Sequence, residues 1–403
     1  MGPERIVTIG ADHPSLAGHF PGYPVVPGVV MLGEIMNAIR EMAKENIEFV
    51  GMPSAKFMSP LNPGEPLTIN LEQQGDGAME FTCTTGSRLI ASGCLRYRIV
   101  ADDSTGSVGW LRQRERGSRI AGRFMIWMAL SVGRPAARAL LYPICAYYLI
   151  FSRHACRAIR PYLIRALGRP ISRRDLYRQY HCFASTLLDR VYLLAGPCSH
   201  FDIDIRGLDL LKDRLARGQG CILLGSHLGS FEIVRAIGLA QRDVEIKVLM
   251  YEQHTPMIRD LFRDLNPAVA DAVIQTGSPN TMLQVKECLD RGGVVGILAD
   301  RLLKQDQATP CTFFGKLARF PAGTMWLASI LKVPVILFFG LYRGGNRYKV
   351  HFELFAEEIT IDRQHRDREI QQWTQRYADR LEHHCRLAAD NWFNFYDFWE
   401  EHR

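Results

Sequence analysis

Two histidines in this 403-residue chain lie in segments whose composition favours chemistry. His19 lies in GHFPGYPVVPGVV, residues 18–30, which holds three glycines and three prolines. Proline fixes φ and glycine permits the turns between the fixed positions, so the segment predicts a rigid loop that presents one imidazole. An imidazole held in this way is suited to general acid–base catalysis near neutral pH.

The second histidine, His227, lies in CILLGSHLGSFE, residues 221–232. A strand is predicted to end at Gly225, and a helix is predicted to begin near Ser230, a suitable N-cap. Glu232 follows the histidine by five residues, so a histidine on the loop can face an acid in the first helical turn. A carboxylate on one ring nitrogen would fix the tautomer, and the other nitrogen could then deprotonate an acceptor hydroxyl that attacks a thioester.

The elements that position these histidines belong to two predicted domains. Residues 1–100 are expected to form an α+β unit, with a helix over about 29–42 followed by antiparallel strands. Residues 101–109 are interpreted as a linker, and 110–403 as a second domain. Beyond residue 200, apolar runs alternate with helical patterns, which predicts an α/β domain with a mostly parallel central sheet covered by helices.

The charge distribution favours an anionic surface as a partner. Residues 1–100 hold 7 basic and 10 acidic side chains, whereas residues 112–174 hold 14 arginines and one acid. Two apolar stretches, 124–133 and 139–151, are too short to span a bilayer and are flanked by arginines. We expect residues 110–174 to dock on a membrane interface, although two buried helices remain an alternative. Motifs typical of nucleic-acid recognition are lacking, and nucleic acid is not expected as a partner.

The first segment resembles the 3-hydroxyacyl-[acyl carrier protein] dehydratases of the hotdog fold. The resemblance rests on HPSLAGHFPGYPVVPGVVMLGEI, KFMSPLNPGEPLTI and GSRLIASGCLRY, within residues 8–100. It implies that His19 removes the α-proton of a β-hydroxyacyl thioester, while an acid on the next helix protonates the leaving hydroxyl. Gly33 stands at the usual position of that acid and Glu34 one place later, so Glu34 is the predicted acid; Gly28 is predicted to bind substrate.

The second segment resembles the late acyltransferases of lipid A synthesis, within the lysophospholipid acyltransferase superfamily. The motifs that carry this resemblance over residues 108–400 are WLRQRERGS, LLDRVYLL, GSHLGSFE, GILADR, TPCTFFGKLARFPAGTMWLA, VPVILFF and NWFNFYDFW. It implies that His227 and Glu232 form the catalytic pair. The residues expected to bind substrate are Asp300, Arg301, Phe320, Pro321, Gly323 and Thr324.

Together the two resemblances imply an enzyme that handles acyl thioesters. The hypothesis is acyl transfer from a thioester, on acyl carrier protein, to a hydroxyl of a membrane lipid or glycolipid, with dehydration at the first domain. The alternative is a single-activity acyltransferase whose hotdog domain only binds the thioester or carrier, or dimerises. We expect a homodimer at the cytoplasmic face of the bacterial inner membrane, in a lipid-tailoring or aryl-polyene-type pathway, and no cofactor or metal.

Overall fold

A computed structural model describes most of the chain in two compact units. The described residues are 4–11, 13, 16, 24–43, 47–75, 77–99, 127–195, 200–233, 244–250, 272–276, 280–302 and 307–399. The first unit comprises residues 1–106 with 277–284, and the second comprises 107–276 with 285–403. The predicted linker, 101–109, and His19 both lie outside the described residues.

The first unit contains an antiparallel sheet and one long helix. Its elements are β1 (Glu4–Thr8), α1 (Gly28–Ala43), β2 (Ile47–Phe57), β3 (Pro66–Gln73), β4 (Ala78–Thr85) and β5 (Arg88–Ile99). The strand order is β1-β3-β4-β5-β2, and all four pairings are antiparallel. The predicted α+β organisation is therefore confirmed, and β1, which the sequence patterns did not predict, is added at one edge of the sheet.

The core of the first unit lies between α1 and one face of the sheet. The helix buries five apolar side chains: Val30, Met31, Ile35, Ala38 and Ile39. Burial alternates along β3 and β4, because successive side chains of a strand point to opposite faces. The buried side chains of these strands join those of α1 in one hydrophobic cluster.

The second unit has a larger mixed sheet with helices on its flanks. Its strands are β6 (Asp202–Arg206), β7 (Cys221–Gly225), β8 (Ile246–Met250), β9 (Val273–Gln275), β10 (Val294–Leu298), β11 (Ala308–Phe313), β12 (Lys316–Pro321), β13 (Val335–Tyr342) and β14 (Arg347–Ala356). Its helices are α2 (Arg134–Phe151), α3 (Arg153–Leu167), α4 (Arg173–Ala195), α5 (Leu208–Ala216), α7 (Gly323–Leu331) and α8 (Arg366–Leu387). The helix α6 (Thr281–Asp290) has residues 281–284 in the first unit and 285–290 in the second.

Within the described residues, seven strands form the central sheet, in the order β6-β14-β13-β7-β10-β8-β9. Only the β13–β14 pair is antiparallel in this sheet, while β11 and β12 form a separate hairpin. Along β7, Ile222 and Leu224 join one hydrophobic cluster, whereas Cys221 and Leu223 join the other. A strand buried on both faces is typical of a parallel sheet covered by helices, and the predicted α/β architecture is confirmed.

The helices α2 and α3 correspond to part of the predicted docking region. Helical residues 127–132 precede them, whereas 110–126 lie outside the described chain. Among the helices that the structure describes, none combines the length and apolar character needed to cross a membrane.

Candidate active site

The site centres on His227 and Asp300, which two neighbouring parallel strands bring together. β7 pairs with β10 so that Gly225 lies beside Leu298, the last residue of each strand. His227 and Asp300 each follow their strand by two positions, so the carboxyl ends of the strands place them side by side. The His227 ring donates from Nδ1 to Asp300 Oδ1 over 2.7 Å.

Asp300 is a fully buried carboxylate with several donors around it. Its side chain is 0% exposed, against 27% for that of His227. Besides the ring nitrogen, it accepts hydrogen bonds from the backbone N–H of His227, the indole of Trp392 at 2.8 Å and the amide of Asn394 at 3.1 Å. Each donor stabilises the ionised form, which compensates for the loss of water around a buried charge.

The surroundings shift the pKa of both groups downward. Burial by itself raises the pKa of Asp300, but His227, Arg301 and the Trp392 bond outweigh it and lower the pKa to about 2. Burial and the charge of Arg301 lower the pKa of His227, which the charge of Asp300 opposes. At neutral pH the pair is therefore an ionised carboxylate and a neutral imidazole, with Nδ1 held as the protonated nitrogen.

The Nε2 atom of His227 is then the basic nitrogen. Within the described part of the chain it has no hydrogen-bond partner, and the side chain is partly exposed. An acceptor hydroxyl that reaches Nε2 can lose its proton to it. The arrangement supplies what a general base requires: a fixed tautomer, a neutral ring and an accessible nitrogen.

The partner predicted for Nδ1 was wrong: the carboxylate there belongs to Asp300 and not to Glu232. Glu232 instead forms an ion pair with Arg190 of α4. The guanidinium of Arg190 lies close enough for its charge to lower the pKa of His227. The helix after the loop begins at Glu232, near the predicted start. Among the described residues the Ser230 hydroxyl has no hydrogen-bond partner, so the predicted cap is not formed. A role for Glu232 in catalysis stays a prediction.

The loop that carries His227 is held by β13 and by the C-terminal segment 391–394. Gly229 donates its N–H to the carbonyl of Asn391, and Phe393 donates to the carbonyl of His227. Gly229 has a φ of +81°, and a Cβ there would lie 2.0 Å from the Gly340 carbonyl oxygen. Only glycine permits both this conformation and this approach, so the loop is fixed by backbone contacts on two sides.

The other residues predicted to bind substrate lie in three kinds of surroundings: beside the C-terminal segment 391–394, in the buried core and in the first turn of α7. Arg301 bonds the Asn394 side chain at 2.7 Å and the Phe393 carbonyl at 2.9 Å. Phe320 is fully buried in the core, where its ring meets those of Phe313, Tyr377 and Phe398, and Pro321 beside it is also buried. Gly323 is exposed and Thr324 half-buried, both in the first turn of α7. Their roles in binding stay predictions.

In the first unit the structure describes the predicted acid but not the histidine, since His19 lies outside the described residues. Gly28 begins α1, and Gly33 and Glu34 lie inside that helix. The Glu34 side chain is 28% exposed and lies 3.8 Å from Arg5 of β1. Glu34 is therefore placed at the margin of the buried helix face.

Three residues beside the His227–Asp300 pair were not identified from the sequence patterns: Arg190, Trp392 and Asn394. Each belongs to a motif, LLDRVYLL or NWFNFYDFW, in which the individual contributing side chain was not identified. Most aromatic rings of the segment 391–399 pack in the hydrophobic clusters of the second unit. Trp392 combines both roles, because its fully buried indole also bonds Asp300.

Two family models match separate parts of the chain. A family model described as ApeI dehydratase matches residues 4–94. A model of the bacterial lipid A biosynthesis acyltransferases matches residues 178–401, more than half of the chain.

Individual relatives match the first segment. The 3-hydroxyacyl-[acyl-carrier-protein] dehydratase FabZ of Chlamydia trachomatis serovar L2 is 33% identical over 114 residues, which cover 25% of this chain and 73% of the relative. The corresponding protein of Hydrogenobaculum is 32% identical over 109 residues, covering 23% of this chain and 73% of the relative.

Among solved structures, the dehydratase heterocomplex ApeI:P from Xenorhabdus doucetiae matches with 22% identity and a TM-score of 0.22, over 24% of this chain and 85% of that one. The two segments thus match separate families. The chain belongs to the bacterial lipid A biosynthesis acyltransferase family through its second unit, and it carries at its N-terminus a hotdog domain of the 3-hydroxyacyl-[acyl-carrier-protein] dehydratase family.

Proposed function

We propose that the second unit transfers an acyl group from an acyl thioester, carried by acyl carrier protein, to a hydroxyl of a membrane lipid or glycolipid. The observation that carries this proposal is the buried Asp300 carboxylate on Nδ1 of His227, which leaves Nε2 as an accessible base. Membership of the acyltransferase family supports the same chemistry.

The reaction requires one proton transfer and one acyl transfer. Nε2 of His227 takes the acceptor hydroxyl proton while the hydroxyl oxygen attacks the thioester carbonyl carbon. The tetrahedral intermediate collapses by breaking the C–S bond, and the imidazolium returns the proton to the departing thiolate. Asp300 stabilises the imidazolium that forms between these steps, as a buried carboxylate does in hydrolytic triads.

Glu232 acts in this scheme through Arg190. The ion pair fixes the guanidinium beside His227, where a positive charge favours a neutral ring before the reaction. The same charge is suited to stabilise negative charge that develops on the thioester oxygen. Asp300 and Glu232 thus have separate tasks, one at the base and one at a neighbouring cation.

The helices α2 and α3 support a peripheral position on the cytoplasmic leaflet. On a helical projection the exposed side chains of α2 form one apolar face, made of Tyr142, Pro143, Tyr147, Ile150 and Phe151. An apolar face of this kind is typical of a surface that meets lipid.

The next helix adds positive charge. Arg153, Arg157 and Arg160 are exposed and lie on one face of α3 with Ile164. Within the described chain the three arginines have no ion pair, so they are available to anionic headgroups.

For the first unit we propose dehydration of 3-hydroxyacyl thioesters, with His19 as the base and Glu34 as the acid. Similarity to the dehydratases and the place of Glu34 on α1 support it. The alternative, a unit that only binds the thioester or the carrier or dimerises, is favoured by Gly33 at the usual position of the acid.

We also propose that the chain forms a homodimer through the first unit. Its edge strand β2 presents exposed apolar side chains at Val50, Met52 and Phe57. An unpaired edge with apolar side chains is a surface on which a second copy could pair.

Intact-mass analysis of a 3-hydroxyacyl-carrier protein, incubated with the purified chain and a bacterial lipid extract, tests these proposals together. Wild type, His19→Ala and His227→Ala are compared, with a 2-enoyl donor as control. Deacylation of the carrier with a new acylated lipid, lost only in His227→Ala, is the expected result for the transferase. Loss of one water, abolished only in His19→Ala, is expected for the dehydratase; deacylation without water loss would instead favour the binding role.

A further inference from the structure

A cavity of about 920 Å³ lies within the second unit, close to the carboxyl end of β13. Its walls come from α2, α4, the β13–β14 turn, the first residues of β6 and β14, and the end of α8 with the residues that follow it. This volume is within the range of small-molecule binding sites and exceeds what a single phosphate ion needs. Neither His227 nor Asp300 lines this cavity.

The cavity is positively charged overall. Five cationic side chains line it: Arg178, Arg343, Arg347, Lys349 and Arg386. Three acids also line it: Asp202, Asp204 and Asp390. Two of these acids have cations beside them, since Asp390 pairs with Arg178 at 2.9 Å and Asp204 lies 3.7 Å from Lys349.

Two of the arginines have no acidic partner. Arg343 donates to the Leu387 carbonyl at 3.1 Å, and Arg347 donates to the Arg343 carbonyl at 3.5 Å. Within the described chain neither forms an ion pair. Two guanidinium groups on one turn therefore retain charge and donor capacity toward the cavity, and paired guanidiniums match the oxygens of a phosphate.

A polar atom of His181 adds a second observation. This residue of α4 lines the cavity, and its Nε2 is buried without a hydrogen-bond partner. The ring lies 4.9 Å from that of Tyr142 and 6.1 Å from that of Tyr177, between centroids. A buried nitrogen without a partner is costly unless a ligand or water bonds to it.

The cavity is joined to the catalytic loop through Asn391. The Asn391 side chain bonds the backbone N–H and carbonyl of Tyr342, which also lines the cavity. The carbonyl of the same asparagine accepts from Gly229, two residues beyond His227. β13 and β7 are also neighbours in the sheet, so Asn391 connects the wall of the cavity with the loop that carries His227.

We propose that this cavity binds a phosphate group of a substrate of the transfer reaction, with Arg343, Arg347 and His181 as its contacts. The proposal rests on the acyl transfer proposed above. Two substrates can bring a phosphate there: the headgroup of the lipid acceptor, and the 4′-phosphopantetheine arm of the acyl donor. The remaining volume accommodates the sugar or pantetheine part to which the phosphate is attached.

Calorimetric titration of the full chain with matched probes tests the proposal and separates the two sources. One pair is N-acetylglucosamine 1-phosphate and N-acetylglucosamine, and the other is 4′-phosphopantetheine and pantetheine. We expect the phosphorylated member of at least one pair to bind about tenfold or more tightly, because charge-assisted bonds are lost with the phosphate. The pair that shows the difference identifies the source. Equal affinities within both pairs would overturn the proposal, and this comparison needs only the wild-type chain.

Variants then locate the site. Arg343→Gln/Arg347→Gln and His181→Gln should each weaken binding of the phosphorylated probe, whereas Arg217→Gln, an exposed arginine outside the cavity, should not. Thermal unfolding checks that the variants fold. Binding that is unchanged in folded arginine variants, or weakened equally in Arg217→Gln, would contradict the assignment.

Binding and chemistry are separable. His227→Ala should bind the phosphorylated probe as wild type does, although it cannot transfer an acyl group. Phosphate binding without any acyl transfer would therefore reject only the proposed function, and transfer without phosphate binding would reject only this inference.

Discussion

Two carboxylates proposed to work beside a histidine, Asp300 and Glu34, lie in opposite kinds of surroundings. Asp300 is fully buried and accepts from the imidazole, a backbone N–H, an indole and an amide. Glu34 is partly exposed and has an arginine at 3.8 Å. A buried acid with several donors is held in one position, whereas an exposed ion pair contributes little and can exchange for water. The surroundings of an acid, more than its presence, decide how well it orients a base.

Removal of the proposed base, His227, should have the largest effect on the rate of acyl transfer. His227→Ala is expected to lower kcat for acyl transfer on the order of 10³-fold, because no other described group replaces Nε2. The measurement is carrier deacylation coupled to lipid acylation. His365→Ala, at an exposed histidine of the same unit, is the control and should retain activity; comparable losses in both variants would reject His227 as the base.

A substitution of Asp300 that keeps its shape but removes its charge tests the role of the buried carboxylate. Asp300→Asn should lower kcat by about 100-fold or more, because an amide favours the wrong imidazole tautomer. The tautomer can be followed by ¹⁵N NMR of the ring, a signal that simple loss of stability would not change. An unaltered tautomer together with unaltered kcat would show that Asp300 does not orient the base.

Glu232 forms an ion pair with Arg190. Loss of this ion pair should lower kcat less than the change at Asp300 does. Glu232→Gln is expected to lower kcat by about tenfold or more, since the cation beside His227 would lose its fixed position. Glu357→Gln removes the partner of Arg214 in an exposed position and serves as the control. If the two variants behave alike, the Glu232–Arg190 pair has no role in the reaction.

The pH profile should show the lowered pKa of His227. Burial and Arg301 lower this pKa and Asp300 opposes them, so kcat/KM for transfer should fall with acid at a midpoint below about 6.5. Asp300→Asn removes the opposing charge, and the midpoint should move further toward acid. A midpoint above that of a free histidine in the wild type would contradict the environment described here.

Loss of the exposed ion pairs around Glu34 should have the smallest effect, a small change in the free energy of unfolding. Arg5→Gln removes the ion pairs of Arg5 with Glu34 and Glu41 and should change the free energy of unfolding by about 1 kcal/mol or less. Arg134→Gln is the contrast, because it leaves the buried Asp189 without its cation, at a cost of about 3–5 kcal/mol. Denaturant unfolding of the full chain measures both, and equal losses would contradict the distinction between exposed and buried pairs.

Local patterns were sufficient for most of the architecture. The apolar runs of β7, β10 and β13 are long, continuous and separated by helical segments, so they predicted buried parallel strands. The helix α1 was predicted to within one residue at each end, since an apolar face follows a proline-rich loop. The strand β1 was not predicted because its five residues, ERIVT, do not alternate regularly between apolar and polar side chains.

The histidine proposed as the base was also identified from sequence, whereas the carboxylate that contacts its ring was not. Spacing along the chain favoured Glu232, five residues from His227, but Asp300 lies 73 residues away. It becomes the partner only because β7 and β10 pair in parallel with matched ends. The C-terminal Trp392 and Asn394 complete the site from still further along the chain. Residue types and local periodicity thus determined the elements and the histidine proposed as the base. Strand pairing decided which carboxylate contacts it, because that contact depends on register in the sheet and not on separation in the chain.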